Sequence, residues 1–347
     1  MIDTAFVLTL GYIGGDSKRG AELNGEALII QTLKQSGLVN EVTRINYDAL
    51  HYNIGNIGEY LIEQCSLAKP DVIIFNPSGL YNLDPPRYAM DIITNKLGMK
   101  TVMVRGDSVG EVSKRFTDSW MPFVSNVMFF DATLKTIKYN RHPKAIQSLI
   151  TAGQSSYFYK KDTPKDIDVC FIGNLRMPKR EEYIQYLQLH GINVYIRGGQ
   201  GPTDKIIPWE EYTDILNRSK ISLNFCLNGC GDSQMKGRVT ETMACNTLLI
   251  EDEGTETSRF FDEGIDFVMA HNKEDMLDKV KYYLEHDRER EQIAASGHRK
   301  ITELYTARNA WGYTFEEMGF AMNMREWSFE EDDSYQWFCN KMGALKR

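Results

Sequence analysis

Between Gln234 and Gly254 the chain reads QMKGRVTETMACNTLLIEDEG, and three of its residues could do chemistry together. Lys236 and Arg238 carry full positive charges, and Gly237 between them lets a ligand approach the backbone. Glu241 follows Arg238 by three, which places both on nearly the same face of a helix. Cations at a helix N-terminus, where unpaired N–H groups already carry partial positive charge, suit a phosphate or pyrophosphate. The carboxylate could then accept two hydrogen bonds from a ribose cis-diol. The simpler alternative makes Glu241 an ion-pair partner on an ordinary amphipathic helix that feeds a buried strand. Met243 and Ala244 are expected to face a sheet. Asn246 stands where the helix must stop, and Asn tolerates the left-handed conformation there.

These residues need a scaffold, and the chain supplies one twice. AFVLTL, VTRINYD, PDVIIFNPSG, MKTVMVRGDS and NVMFFDA are short apolar runs separated by helical patterns, among them one from about Leu23 to Gln35. After the polar stretch KKDTPKDI (160–167) the pattern restarts with DVCFIGN, INVYIRGG, KISLNFCLNG, TLLIEDEG and DFVMA, again alternating with helices. Short buried strands alternating with helices predict parallel sheets covered on both faces, hence two doubly wound α/β domains. The boundaries are expected at 1–155 for the first domain, 156–166 for a linker and 167–310 for the second. An aromatic tail over 311–347 holds Trp311, Trp327 and Trp337 and is expected to pack back across the domains. Ligands of such sheets bind beyond the carboxyl ends of the strands, and the loop CGDSQMKGR lies at such an end.

Composition narrows the classes. A chain of 347 residues, 42% hydrophobic and 25% charged, suits two soluble domains. No apolar run approaches the roughly 18–20 residues of a membrane span, and MIDTAFVLTLGYIGG reads as strand and turn rather than a secretion signal. Six scattered cysteines without a CxxC pattern indicate reduced thiols, a cytoplasmic location and no structural zinc; Cys226 and Cys230 read as small hydrophobes before a redox pair. Residues 1–165 hold 18 Lys/Arg against 16 Asp/Glu, the remainder 22 against 32. That balance argues against a protein that mainly coats nucleic acid, while leaving a local basic face in the first half.

Dinucleotide and P-loop fingerprints are absent: the first strand is followed by GYIGGDSKRG, and no GxxxxGK[ST] occurs. RGGQG (197–201) could let backbone approach a flat ligand or could be only a loop. Asp166-Ile167-Asp168 has the spacing of a metal-binding DxD but precedes its strand, so it reads as linker. No HxxxH or HExxH pattern suggests a metal, and His51 falls in an expected loop.

SKISLN, then KGRVTETMACNTLLIEDEG, then FFDEGIDFVMAHNKEDMLDKVKYYLEHDREREQIAASGHRKI resemble the C-terminal half of family-1/4-like GT-B glycosyltransferases, most nearly their CgeB-like (spore protein) branch. The resemblance covers about 166–310. It implies a GT-B fold, two Rossmann-like domains facing each other across a cleft. A nucleotide-sugar donor, most readily a UDP-sugar, would lie on the second domain and an acceptor on the first, with no other cofactor. Carried over by position, Gly173 and Asn174 would lie near the donor phosphates and Gly198 to Gly201, including Gly199, near base or sugar. Lys236 and Arg238 would neutralise the diphosphate without metal, Glu241 would hold the ribose, and Glu253, Gly254 and Thr255 would fall near sugar or phosphate. Two departures stand out. Many relatives carry a second Glu eight residues before Glu241, where this chain has Ser233 with Asp232 beside it, and the usual Gly after Ala-Cys is Asn246.

Inverting transfer needs a general base at the acceptor hydroxyl. Asp16 and Asp107 are the candidates, with Asp131 behind them; each could equally cap a helix or shape a turn. The acceptor could be a glycan, a lipid-linked or small molecule, or DNA, as in phage base-modifying glucosyltransferases, with Lys114, Arg115, Lys135, Lys138, Arg141 and Lys144 on its phosphates. A GT-B-shaped binding protein without turnover is the non-enzymatic alternative, and the missing fingerprint argues against an oxidoreductase.

Overall fold

The apolar runs become the strands of two parallel sheets. β1 (Ile2–Thr9), β2 (Val39–Asn46), β3 (Val72–Phe75), β4 (Lys100–Arg105), β5 (Asn126–Phe129) and β6 (Ala145–Gln147) pair in the order β2-β1-β3-β4-β5-β6. β7 (Ile167–Ile172), β8 (Val194–Arg197), β9 (Ser219–Asn224), β10 (Leu248–Asp252) and β11 (Val268–Ala270) pair in the order β11-β10-β9-β7-β8. Each order reverses between the first and third strands of its sheet, and that switch point is where doubly wound sheets open a ligand crevice. The computed structural model describes residues 1–9, 22–78, 83–198, 207–254, 256–324 and 333–346, with backbone alone at 22–24 and 51–53.

Strands buried on both faces explain why the sequence shows continuous apolar runs rather than alternation. All four residues of β3, VIIF, are buried, and Phe75 packs edge-on against Trp120 with ring centroids 4.8 Å apart. In the second sheet Val169, Phe171, Ile221, Leu223, Leu248 and Ile250 form one core face with Phe225. Helices begin and end on local chemistry. Asn56 Oδ1 accepts from the Glu59 amide at the start of Ile57–Ala68, and Gly37, at φ 65°, closes Thr32–Ser36. His51 lies in the helix Tyr47–Asn53, not in the loop expected for it.

The chain forms two compact units, Met1–Thr151 with Thr306–Arg347, and Ala152–Tyr305. In the first, the helix Ala307–Glu317 returns Trp311 to full burial, its indole N–H donating to Thr32 Oγ1 at 2.9 Å. In the second, the polar stretch before β7 is tied down. The Lys161 amide donates to Asn217 Oδ1 at 2.6 Å, and Lys165 Nζ donates to the Asn217 and Ser219 carbonyls at 3.1 and 2.8 Å. Burial pulls the Lys165 ammonium down to about 8.

Candidate functional site

In the second unit the switch point lies between β7 and β9, and the helix Gly237–Ala244 begins beside it. Thr242 Oγ1 donates to Ser222 Oγ at 3.2 Å, which registers this helix on β9. Arg238 stands one turn before Thr242 and Asn224 two residues after Ser222, so the same register delivers Arg238 to the strand end. Its Nε donates to Asn224 Oδ1 at 3.1 Å, one terminal nitrogen donates to the Ile172 carbonyl at 2.7 Å, and the guanidinium lies 5.2 Å from the Phe171 ring centroid. Two of five guanidinium N–H groups are thereby used. Among the described residues the other three have no hydrogen-bond partner.

A second guanidinium stands on the same ring. Arg180 opens the helix Arg180–Leu189, is 5% exposed, and lies 5.7 Å from the Phe171 centroid. It donates to the Asn174 carbonyl at 2.8 Å, while its Nε has no hydrogen-bond partner among the described residues. Burial, and then the Arg238 charge, pull it down to about 9, so it remains cationic at neutral pH. The balancing acid is fully buried Asp252, whose Oδ1 accepts the Cys226 amide at 2.7 Å and whose Oδ2 lies 3.5 Å from Lys179 Nζ. The edge therefore gathers Lys179, Arg180 and Arg238, of which only Arg238 stands out in the sequence.

Gly173 and Asn174 follow β7 directly, and Gly198, with φ 86°, ends β8 with its Cβ position 3.0 Å from the Gly173 backbone. Lys236 occupies the N-cap position of the helix Gly237–Ala244. Glu241 is 3% exposed and accepts a hydrogen bond from the Tyr212 hydroxyl at 2.5 Å, a partner the sequence did not suggest. Asn246 takes φ 54°, the left-handed conformation expected of it. Gly254 is packed on Cys226, where a Cβ would come within 2.6 Å of the sulfur, and exposed Glu253 lies 3.8 Å from His271 Nδ1. Asp16, the GQG of RGGQG (199–201, Gly199 included) and Thr255 lie outside the described residues.

Asp168 is the second residue of β7 rather than linker, and it sits at the amino end of the strand, paired with Lys220 at 2.6 Å; Asp166 pairs with Arg218 at 2.6 Å. Among the described residues no three His, Cys, Asp or Glu side chains group as metal ligands.

In the first unit Asp107 follows β4 in the left-handed region at φ 48°, exposed, its carbonyl accepting from Ser113 Oγ at 2.5 Å. Asp131, the third base candidate, is 2% exposed, and its carboxylate accepts both the Ser108 amide at 3.0 Å and the Ser108 hydroxyl. Burial still raises it to about 6. It fastens the turn after β4 and is withdrawn as a base. Of the six cations considered for DNA, Lys114 pairs with Asp118 at 2.7 Å, and Lys144 Nζ donates to the Met121 and Val124 carbonyls at 2.6 and 2.7 Å. Arg115, Lys135, Lys138 and Arg141 are exposed.

Residues 179–315 match the family model described as "Glycosyl transferase-like", a stretch that contains Lys179, Arg180, Lys236, Arg238 and Glu241. No curated protein matches the chain in sequence. Among solved structures it is similar to Anabaena HepE in complex with UDP and glucose, with a TM-score of 0.59 at 9% identity over 92% of this chain and 100% of that one. It is similar to the DNA modifying enzyme β-glucosyltransferase, with a TM-score of 0.54 at 13% identity over 100% of both chains. TarM of S. aureus gives 0.56 at 12% identity over 76% of this chain, which spans 59% of TarM's length. Likeness at this identity establishes the fold: two parallel-sheet α/β domains of six and five strands, as in GT-B glycosyltransferases. Among the described residues no helix is long and apolar enough to cross a membrane.

Proposed function

We propose that the chain is a glycosyltransferase (EC 2.4 class) that moves a sugar from a nucleoside-diphosphate sugar to an acceptor hydroxyl. The observation that carries this reading is Arg238, clamped at the β7–β9 switch point with three N–H groups unspent among the described residues, inside the stretch that matches the glycosyl transferase-like family. A pyrophosphate there meets Arg238, Lys236 and the N-terminus of Gly237–Ala244, which stabilise the charge that develops as the diphosphate leaves. That cationic set is the support for metal-independent transfer, and undiminished turnover in EDTA is its test. Glu241, oriented by Tyr212, holds the ribose; Gly173, Asn174, Gly198, Glu253 and Gly254 edge the donor. A UDP-sugar is favoured because HepE is seen with UDP and glucose. The CgeB-like branch and a cytoplasmic location remain part of the reading, the latter supported by six free thiols.

Transfer to a glycan or small molecule bound by the first unit, with Asp107 as base, is preferred. A second reading makes DNA the acceptor; it is kept because the DNA modifying β-glucosyltransferase aligns over the whole of both chains. It is ranked second because Lys114 and Lys144 are engaged within the protein. Failure to bind duplex DNA even at low salt removes it. A thermal-shift screen against UDP, GDP, ADP, CMP and their sugars tests the main reading and identifies the base. A chain that no nucleotide stabilises overturns it, whereas binding without hydrolysis or transfer leaves a non-catalytic binding protein.

A further inference from the structure

Resting on the donor-site reading, we propose that Glu251 is a positioning residue that acts through Asn224 to hold the Arg238 guanidinium in its ligand-facing pose. Asn224 and Glu251 are register partners on the parallel strands β9 and β10, so their side chains emerge side by side on one sheet face. The amide orientation between them is forced. An arginine can only donate, so the carbonyl oxygen of Asn224 must face Arg238 Nε, at 3.1 Å. Its NH2 group is then turned to Glu251 Oε1, at 2.6 Å. Remove that acceptor and the buried NH2 is left without its partner, so the amide is no longer braced from behind and its grip on Arg238 Nε loosens, leaving the Ile172 carbonyl as the firmer hold on the guanidinium.

Glu251 is itself fully buried, so it cannot reach a ligand directly. The groups facing it are Asn224 from β9, Asp252 from its own strand, Arg238 from the helix, the Cys226 thiol and the Thr257 hydroxyl. Burial, and next to it the Asp252 charge, raise its carboxyl to about 8, so at neutral pH it is an uncharged acceptor. That matters for Arg238. A carboxylate this close would draw the guanidinium inward as an ion pair, whereas a neutral carbonyl orients the amide and leaves the positive charge for the ligand.

Calorimetric titration of UDP, GDP and ADP selects the nucleoside diphosphate that binds the unaltered protein most tightly, and the variants are compared on that probe at pH 7 and pH 9. Arg238→Ala and the relay variants Asn224→Leu and Glu251→Met each weaken binding by about tenfold, the scale of a charge-assisted contact. Glu251→Gln, which keeps an uncharged acceptor, stays within about twofold at pH 7, the scale of a contact retained. From pH 7 to pH 9 the unaltered protein loses affinity that Glu251→Gln keeps. If no diphosphate binds, or Arg238→Ala binds normally, the donor site falls and the relay with it. If Arg238→Ala weakens binding while Asn224→Leu and Glu251→Met do not, the relay alone is wrong. Should Glu251→Met fail to fold, the pH comparison decides: parallel profiles for Glu251→Gln and the unaltered protein overturn the proposal.

Discussion

A Cβ placed on Gly173 would stand 2.4 Å from a terminal nitrogen of Arg238, so the missing side chain at one position is the room occupied by the other. Gly173 also holds φ 158°, a backbone state other residues rarely adopt. Gly173→Ala is expected to push Arg238 off the Ile172 carbonyl and to cost about 1–3 kcal/mol of stability, as strained positions do. Urea denaturation measures the second effect and nucleotide titration the first. A variant as stable and as tight as the parent would show that the two residues are not coupled.

Arg238→Lys tests whether geometry or charge holds the donor. A lysine keeps the charge but has no planar fork with which to grip Asn224 and the Ile172 carbonyl together while presenting further donors outward. Nucleoside-diphosphate affinity is expected to drop by about tenfold despite the retained charge, with circular dichroism unchanged. Full affinity in the lysine variant would reduce Arg238 to a point charge.

The Glu251 carboxyl makes stability depend on pH in a definite direction. Its folded value, about 8, lies above the ordinary 4.5, so the folded state holds one proton more than the unfolded chain between those values. Stability from this group therefore falls as pH rises through that window. Denaturation midpoints at pH 5 and pH 8 should separate further for the unaltered protein than for Glu251→Gln. Equal separations would mean that Glu251 ionises freely.

Asp107→Asn distinguishes a base from a turn residue. Its left-handed backbone is one that Asn also tolerates, so the fold should survive. Nucleotide binding should be unchanged while transfer to acceptor is lost. Normal turnover would eliminate Asp107 and favour a mechanism that needs no such base.

The architecture was legible because parallel strands are buried on both faces: VIIF in β3 and LLIED in β10 announce themselves as runs. Asn246 was legible too, since the stop of a helix is a local event. What the sequence hid depends on register between distant strands. Asn224 reads as a lapse in the apolar run SLNF until β10 brings Glu251 beside it, 27 residues later. Arg180 reads as the surface start of an amphipathic helix, and only the Phe171 ring with Arg238 across it shows a buried cation. Asp131 looked like a base because its type was right; Ser108, 23 residues earlier, holds its carboxylate. A signal for the missed pair did exist, as an amide closes one buried strand and an acid stands next to the end of another.

The hydrogen bond from Trp311 to Thr32 spans 279 residues of chain, and it sets an order of events during synthesis. The first unit is completed by residues 306–347, whereas the second is contiguous from 152 to 305. As the chain leaves the ribosome N-terminus first, the second unit has all of its residues before the first does. The nascent first unit must keep Thr32 waiting until the helix Ala307–Glu317 emerges, so the unit that begins first is completed after the second.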